Sequence, residues 1–318
     1  MKTTDRLVPL LGTAAVALFW GTSGVLVKRS SLAATDIAFI RTSAGAAVLL
    51  AWSTIHRCRG DRASVAAGHR MPAMLTGLLL AAHWLTFTAA LRAAPIGTVL
   101  TGVYLAPVMI AVFARRVWQE RVSGRTGLAL LLTAVGSLLV LRPAAAGGWS
   151  GLLLIGTAAV TYAGFILGSK RSLRVVAPRA LTTFQLVVAA IGLVPMVIVL
   201  GQPATLVRAS AADLLPAILL GVAYTGIALL AYLSCLHRLT VTTSGILLSL
   251  EPISSFVAGW LALDERPGVI VVFGVILALC GGSLALTAPE AVGERQSPEA
   301  SRRGPGAASK GRQWQAGS

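Results

Sequence analysis

Apolar residues run along this chain in long stretches, interrupted by short breaks that hold charged residues, glycine or proline. A helix needs roughly 20 apolar residues to cross about 30 Å of hydrocarbon, and ten of the stretches approach or exceed this length. We therefore predict an all-α integral membrane protein with ten transmembrane helices. The predicted spans are residues 9–27, 37–55, 72–91, 96–114, 126–141, 150–168, 180–200, 213–235, 242–263 and 268–287.

The overall composition supports a membrane protein. Of the 318 residues, 56% are hydrophobic and 12% are charged, whereas soluble domains carry about 25% charged residues. The three cysteines show no CxxC spacing, so neither a disulfide framework nor a zinc site is predicted. The sequence predicts no cofactor and no bound metal.

The strongly basic character of the chain could indicate nucleic-acid binding, because clustered Lys and Arg are the usual mark of phosphate recognition. The formal net charge is +16, yet its distribution indicates topology instead. With a cytoplasmic amino terminus, 20 of the 27 Lys and Arg residues fall on the inner side and 6 in outer loops. This ratio follows the positive-inside rule. It predicts a multi-pass protein of the cell (inner) membrane with both termini in the cytoplasm, and it argues against a nucleic-acid partner.

The chain also contains an internal repeat. Residues 92–141 align without gaps with residues 237–286 at an offset of 145, so that Pro107 falls on Pro252. A pattern of this kind predicts that one helical unit has been duplicated.

The two copies are predicted to be inverted. Each holds five spans, an odd number, so the second copy must enter the membrane from the opposite side. The Glu-Arg pair at Glu120 falls on the inner side and its mate at Glu265 on the outer side. We predict repeats at 1–145 and 146–287, followed by a disordered cytoplasmic tail at 288–318, where the composition becomes polar and rich in Pro, Gly and Ser. Inverted repeats around a midplane site are characteristic of secondary transporters.

The stretch "LLSLEPISS" places a carboxylate and a proline inside the ninth span. At about 1.5 Å per residue, Glu251 lies near the membrane midplane, where a charged side chain costs at least about 2.5 kcal/mol. Two interpretations follow. Glu251 either binds substrate or exchanges protons, or it is a structural carboxylate paired with a basic or hydroxyl group. The first repeat has Ala106 at the equivalent position, so the site holds one carboxylate and not a pair.

Pro107 and Pro252 predict breaks in the fourth and ninth spans. Proline has no N–H, and its ring collides with the carbonyl four residues back, so Leu248 C=O loses its helical partner. In mid-membrane such a group is tolerated only where protein or water covers it. Broken helices at corresponding positions of two inverted halves predict that both breaks line a binding cavity.

Other polar and aromatic residues of the spans are further candidates. His83 lies near mid-depth, where it could bind substrate, relay a proton or form an interhelical hydrogen bond. Arg41 lies a few residues inside the outer end of the second span, where it is expected to reach the headgroups or to pair with Asp36. Gln185 is expected to hydrogen-bond between helices. The aromatic candidates, each of which could also be a packing residue, are Trp20, Trp84, Tyr104, Tyr162, Tyr224 and Tyr232.

Two segments, "YLAPVMIAVFARRVWQERVSGRTG" and "AYLSCLHRLTVTTSGILLSLEPISSFVAGWLALDER", resemble the EamA-type unit of the drug/metabolite transporter superfamily. In that unit a Pro in the fourth helix and a Glu just beyond it recur in each copy, and Arg41 matches an arginine typical of the second helix. The resemblance covers residues 7–287 and implies a carrier with a central cavity lined from spans 1, 3, 4, 6, 8 and 9, mostly exporting small solutes, often against protons. The substrate-binding candidates that it implies are Trp20, His83, Tyr104, Tyr162, Tyr224 and Glu251.

These observations predict a secondary active transporter, a proton-coupled exporter of a small organic metabolite, amino acid or drug that works by alternating access. Its partners would be the solute, protons and the lipid bilayer, and the protein would be a monomer or a homodimer. The alternative is a membrane-embedded enzyme acting on a lipid or isoprenoid, with Glu251 and His83 as acid and base, although no HExxH, GxSxG or Walker motif is found. A sensor or scaffold is disfavoured because few residues lie outside the spans.

Overall fold

A computed structural model of the chain describes residues 3–58, 64–117, 123–140, 147–202 and 206–286. The regular structure of these residues is entirely helical, which confirms the predicted fold class. The helices extend several residues beyond many of the predicted apolar windows, because helical hydrogen bonding continues into the more polar ends of each span.

The described residues form ten helical spans, several of which consist of more than one helix. Within these residues, seven spans (1, 2, 3, 6, 7, 8 and 9) are long and apolar enough to cross a membrane, and spans 4 and 5 contain shorter apolar helices. The bounds are span 1, Thr3–Gly21 and Ser23–Arg29; span 2, Ala34–Cys58; span 3, Ala67–Ala93; span 4, Ile96–Val103 and Leu105–Val117; span 5, Gly124–Val140; span 6, Gly148–Ser172; span 7, Pro178–Leu200; span 8, Ala211–Leu219, Leu220–Ile227 and Ala228–Arg238; span 9, Val241–Leu248 and Glu251–Leu263; and span 10, Val269–Leu286.

Spans 4 and 9 are interrupted at corresponding positions. The first helix of span 4 ends at Val103 and that of span 9 at Leu248, four residues before Pro107 and Pro252 respectively. Proline cannot donate to the carbonyl four residues back, so each helix loses a hydrogen bond at the point where its first half ends. The two interruptions are separated by the same offset of 145 residues that relates the two copies in the sequence.

The packing of the spans follows the same internal symmetry. Each span has an equivalent in the other repeat, five spans away along the chain. Where two spans pack on each other, their two equivalents also pack on each other. Span 3 packs on span 6 as span 8 packs on span 1, and span 1 packs on span 9 as span 6 packs on span 4. Spans 2 and 7, 4 and 9, and 5 and 10 pack on their own symmetry mates. The two halves therefore form one intertwined bundle of two inverted five-helix repeats.

Glu265 joins the two repeats at one end of the bundle. Its Oε1 lies 2.7 Å from Lys28 Nζ, at the end of span 1. Its Oε2 accepts a hydrogen bond from the backbone N–H of Ile96, the first residue of span 4, at 2.9 Å. One carboxylate thus pairs with a cation and satisfies an otherwise unpaired helix N-terminus. We call these two contacts the Glu265 junction; the sequence mate of Glu265, Glu120, lies outside the described residues.

Spans 2 and 8 approach each other closely at Gly221, a residue of span 8. The middle of span 8, Leu220–Ile227, is a π-helix, a rare form that occurs frequently at functional sites. A Cβ atom at Gly221 would lie 2.5 Å from both the Arg41 carbonyl oxygen and the Ala44 Cβ. Real Cβ atoms do not approach other heavy atoms so closely, so only glycine allows the two backbones to lie at this distance. The close approach fixes Arg41 against the π-helix.

Substituting alanine for Gly221 is expected to destabilise the protein by about 1–3 kcal/mol, the usual cost of overpacking. The new methyl group meets backbone, which cannot rotate away as a side chain can. The matched control is Gly156→Ala in span 6, where an added Cβ meets nothing within 4 Å and where the better helix propensity of alanine adds up to about 1 kcal/mol. Thermal unfolding in detergent should therefore show shifts of opposite sign. Equal melting temperatures for the two variants would contradict the close approach.

Candidate functional site

A cavity lies between the two repeats. Its walls come from spans 1, 3, 4, 6, 8 and 9, the same spans that the family resemblance implies. Most of the lining side chains are aromatic or aliphatic, and the polar exceptions are few. The lining residues are Trp20, Ser23, Leu80, His83, Trp84, Phe87, Leu100, Val103, Tyr104, Tyr162, Phe165, Leu229 and Glu251.

The cavity is small in this conformation. Its volume is about 30 Å³, whereas an apolar cavity that binds benzene measures about 150 Å³. A small organic molecule fits only when the lining spans move apart.

Glu251 and Tyr104 connect the two interrupted spans. Glu251 is the first residue of the second helix of span 9, a position where the helix dipole favours a negative charge, and only 9% of the residue is exposed. Tyr104 occupies the interruption of span 4 and donates its hydroxyl hydrogen to Glu251 Oε2. No described basic side chain lies within ion-pair distance of this carboxylate. The hydroxyl partner is compatible with a structural role, and the position beside the cavity is compatible with a functional one.

His83 is held in a stack of aromatic rings. Its ring centroid lies 4.8 Å from that of Tyr162 and 5.4 Å from that of Phe87. Its Nδ1 is 3.0 Å from the carbonyl oxygen of Ala158, on span 6. The histidine therefore forms an interhelical hydrogen bond and also lines the cavity, so the two interpretations from the sequence are not mutually exclusive.

Tyr224 lies outside the cavity, unlike the other five predicted substrate-binding residues. Its hydroxyl is 2.8 Å from Thr22 Oγ1, and its ring stacks on Phe19 with a centroid distance of 3.9 Å. Its backbone carbonyl accepts a hydrogen bond from Trp20 Nε1 at 2.7 Å. Tyr224 thus fixes span 1, and with it the cavity-lining indole of Trp20, to the π-helix.

The prolines that interrupt spans 4 and 9 were both predicted to line the cavity. Pro252 is buried but does not line the cavity, whereas its neighbour Glu251 does. The side chain of Pro107 lies outside the described residues. Within the part of the chain that the structure describes, no group of three or more His, Cys, Asp or Glu side chains could hold a metal ion.

Arg41 corrects an expectation from the sequence. It was expected to reach the headgroups or to pair with Asp36, but its side chain is completely buried (0% exposed). The Asp36 carboxylate accepts instead from the backbone N–H of Gln202 at 3.3 Å. Arg41 Nε donates to Thr225 Oγ1 at 3.0 Å, and the guanidinium carbon lies 3.6 Å from the centroid of the Trp84 ring. The snorkelling interpretation is wrong because the side chain extends into the bundle, where span 8 supplies a hydroxyl and span 3 an aromatic face.

Five residues that the sequence predicts to form one site all line the cavity, namely Glu251, Tyr104, His83, Trp20 and Tyr162. Arg41 and Trp84 are not among the predicted substrate-binding residues, although Trp84 lines the cavity and Arg41 packs against its ring. The available signal was the rarity of an arginine inside an apolar span. The position of Arg41 near the end of its span suggested that the side chain reaches the headgroups. Only the observed direction of the side chain excludes this.

Comparison with solved structures shows a similar fold. One solved structure, described only as "Crystal structure of protein", matches with a TM-score of 0.67 and 20% sequence identity, over 90% of this chain and 98% of that chain. In all, 29 chains of solved structures match. No curated protein sequence matches.

Comparison with protein families identifies the chain more specifically. The profile of the EamA-like transporter family matches two segments, residues 8–142 and 149–287, which together make up most of the sequence. This is a family of multi-pass membrane transporters and not of enzymes, which removes the membrane-embedded enzyme as an interpretation. The chain belongs to the EamA-like transporter family.

Proposed function

We propose that this protein is a secondary active transporter that exports a small organic metabolite, amino acid or drug in exchange for protons, by alternating access. The observation that carries the proposal is the contact between Glu251 and Tyr104. It joins the interrupted helices of two inverted repeats beside a buried cavity, and it brings a titratable carboxyl group to the point where the repeats meet. Midplane sites at interrupted helices are the recurrent arrangement of secondary transporters.

In this mechanism Glu251 carries the proton. Protonation from one side of the membrane removes the charge of the carboxyl group and gives it an O–H donor, which alters its bond with Tyr104 and its affinity for solute. The interruptions at Tyr104 and Glu251 supply bending points, since the helices there lack regular hydrogen bonds. The small cavity fits a closed state that must open to one side to admit solute. His83, Trp20 and Tyr162 would form the walls against which the solute rests.

The Glu265 junction would close the outer side. By the distribution of Lys and Arg, both termini are cytoplasmic and Glu265 lies on the outer side of the cell membrane. Its ion pair with Lys28 holds the end of span 1, and its bond to Ile96 N–H holds the start of span 4, to the loop between spans 9 and 10. Opening to the outside would require these contacts to separate.

Reconstitution in liposomes tests the proposal. The purified protein is incorporated into vesicles that contain a pH-sensitive dye, a panel of metabolites, amino acids and cationic drugs is supplied on one side, and internal pH and solute content are followed together. We expect at least one solute to cross chemically unchanged, with proton movement in the opposite direction and acceleration by an imposed pH gradient. Solute movement that is indifferent to the gradient and causes no proton flux would refute proton coupling.

A further inference from the structure

The guanidinium group of Arg41 is incompletely satisfied. Both Nη1 and Nη2 are buried and have no hydrogen-bond partner, and only Nε is bonded, to Thr225. Glu251 interacts with Arg41 electrostatically, but the two side chains are not within ion-pair distance. A buried cation with unused donors is strongly unfavourable unless an anion or acceptor reaches it.

Two lining residues next to this cation also have unused polar atoms. Trp84 Nε1 and Tyr162 OH are buried without hydrogen-bond partners, and both side chains line the cavity. Trp84 is the residue whose ring lies 3.6 Å from the Arg41 guanidinium carbon. An indole N–H can only donate, and a guanidinium has no acceptor. The wall at Trp84 therefore offers donors that no described protein group accepts.

We infer that Arg41 binds the carboxylate group of the transported solute, with Trp84 Nε1 and Tyr162 OH as additional donors. The inference rests on the proposed function and specifies the substrate class as carboxylate-bearing solutes with an apolar or aromatic body. A carboxylate presents two oxygens in the plane that Nη1 and Nη2 can bind in parallel. Its single charge offsets that of Arg41, whereas a dianionic phosphate would leave excess charge in an aromatic cavity.

The position of Arg41 means that a solute carboxylate can bind it only after the cavity opens. Arg41 does not line the cavity in this conformation, although Trp84, against which it packs, does. A solute carboxylate reaches Nη1 and Nη2 only when the lining spans separate, which the small size of the cavity requires for any solute.

Thermal stability of the purified protein with matched ligand sets tests the substrate class, because ligands of the folded state raise its apparent melting temperature. The probes are acetate, phenylacetate and indole-3-acetate, their three amides, and alanine, phenylalanine and tryptophan. We expect saturable stabilisation by the aromatic carboxylates, with or without an ammonium group, and none by the amides. Equal stabilisation by a carboxylate and its amide would overturn the inference, as would no effect of any carboxylate.

Variants test the residue itself. Arg41→Gln should weaken carboxylate binding at least about tenfold, the effect of losing charge-assisted hydrogen bonds, and Arg41→Lys should fall between it and the wild type. The control is Arg266→Gln, a charge removal at a side chain that is 80% exposed. If Arg41→Gln does not fold, Tyr162→Phe removes an unpartnered hydroxyl without breaking a bond, and it too should raise Kd. Wild-type carboxylate affinity in Arg41→Gln would overturn the assignment.

Failure of this inference is distinguishable from failure of the proposed function. Proton-coupled flux of solutes that lack a carboxylate, with no carboxylate binding, would refute the inference alone. Carboxylate binding that requires Arg41, without any solute flux in vesicles, would refute the proposed transport cycle alone.

Discussion

Replacing Glu251 with glutamine is expected to reduce proton-coupled solute movement to the level of vesicles without protein. Glutamine has nearly the same shape and can still accept the hydrogen bond from Tyr104, so the fold and the contact between spans 4 and 9 should persist. It cannot take up or release a proton at any experimental pH. Exchange of solute for solute, which needs no net proton transfer, should continue in the variant and lose its dependence on pH. The measurement is solute-driven proton flux in liposomes, compared with solute exchange at acidic and alkaline pH.

The matched control for this substitution is Asp264→Asn. It makes the same chemical change at a carboxylate that is 79% exposed, and asparagine tolerates the left-handed backbone at this position, where φ is 54°. Its proton flux and exchange should equal those of the wild type. Wild-type proton coupling in Glu251→Gln would remove this residue from the mechanism and leave it a structural link between helices.

Replacing Glu265 with alanine is expected to shift the protein toward conformations that are open at the end of the bundle where Glu265 lies, which is the outer end in the proposed topology. The change removes a partly buried ion pair, worth up to about 1 kcal/mol, and the acceptor for the Ile96 N–H, worth about as much as other helix caps, ~1 kcal/mol. A total of about 1–2 kcal/mol corresponds to a population shift of roughly 5- to 30-fold.

Two measurements report on this shift. Hydrogen exchange should lose protection at the start of span 4, where the Ile96 N–H bonds to Glu265. A cysteine at Ser23, placed in a background without Cys58, Cys235 and Cys280, should react faster with a membrane-impermeant maleimide added from the outside. Glu265→Gln, which keeps an acceptor for the helix start and loses the ion pair, should lie between the alanine variant and the wild type. Unchanged protection and labelling in Glu265→Ala would show that the junction does not contribute to closure.

The features that the sequence predicted well all depend on regular spacing. Ten apolar runs of membrane-spanning length predict ten spans, and the offset of 145 residues predicts two inverted copies. The positions of Pro107 and Pro252 predict interrupted helices because proline removes a known hydrogen bond at a known distance. Glu251 stood out because a carboxylate in an apolar run is costly. Each of these features follows from the sequence and a local physical rule.

The features that could not be predicted depend on which side chains meet across the bundle. The side chain of Arg41 could have extended outward or inward, and the choice depends on Trp84 and Thr225, which belong to different spans. Tyr224 was expected in the cavity from the family resemblance, yet its side chain contacts Thr22 and Phe19 of span 1. It lies in a π-helix, a departure from regular α-helical spacing that the sequence pattern did not predict.

The π-helix also makes one short segment of the chain sensitive to its own length. Each hydrogen bond in a π-helix encloses one residue more than in an α-helix, so deletion of a single residue between 220 and 227 would allow span 8 to become regular. The turns on either side would keep nearly the same orientation, because a π-helix accommodates its extra residue locally, but the residues within the segment would change their angular positions. Thr225, which accepts a hydrogen bond from Arg41, and Tyr224, which accepts one from Trp20, would then no longer both face their partners. Insertions and deletions in this part of span 8 should therefore rebuild the site as a whole, whereas point substitutions alter one contact at a time.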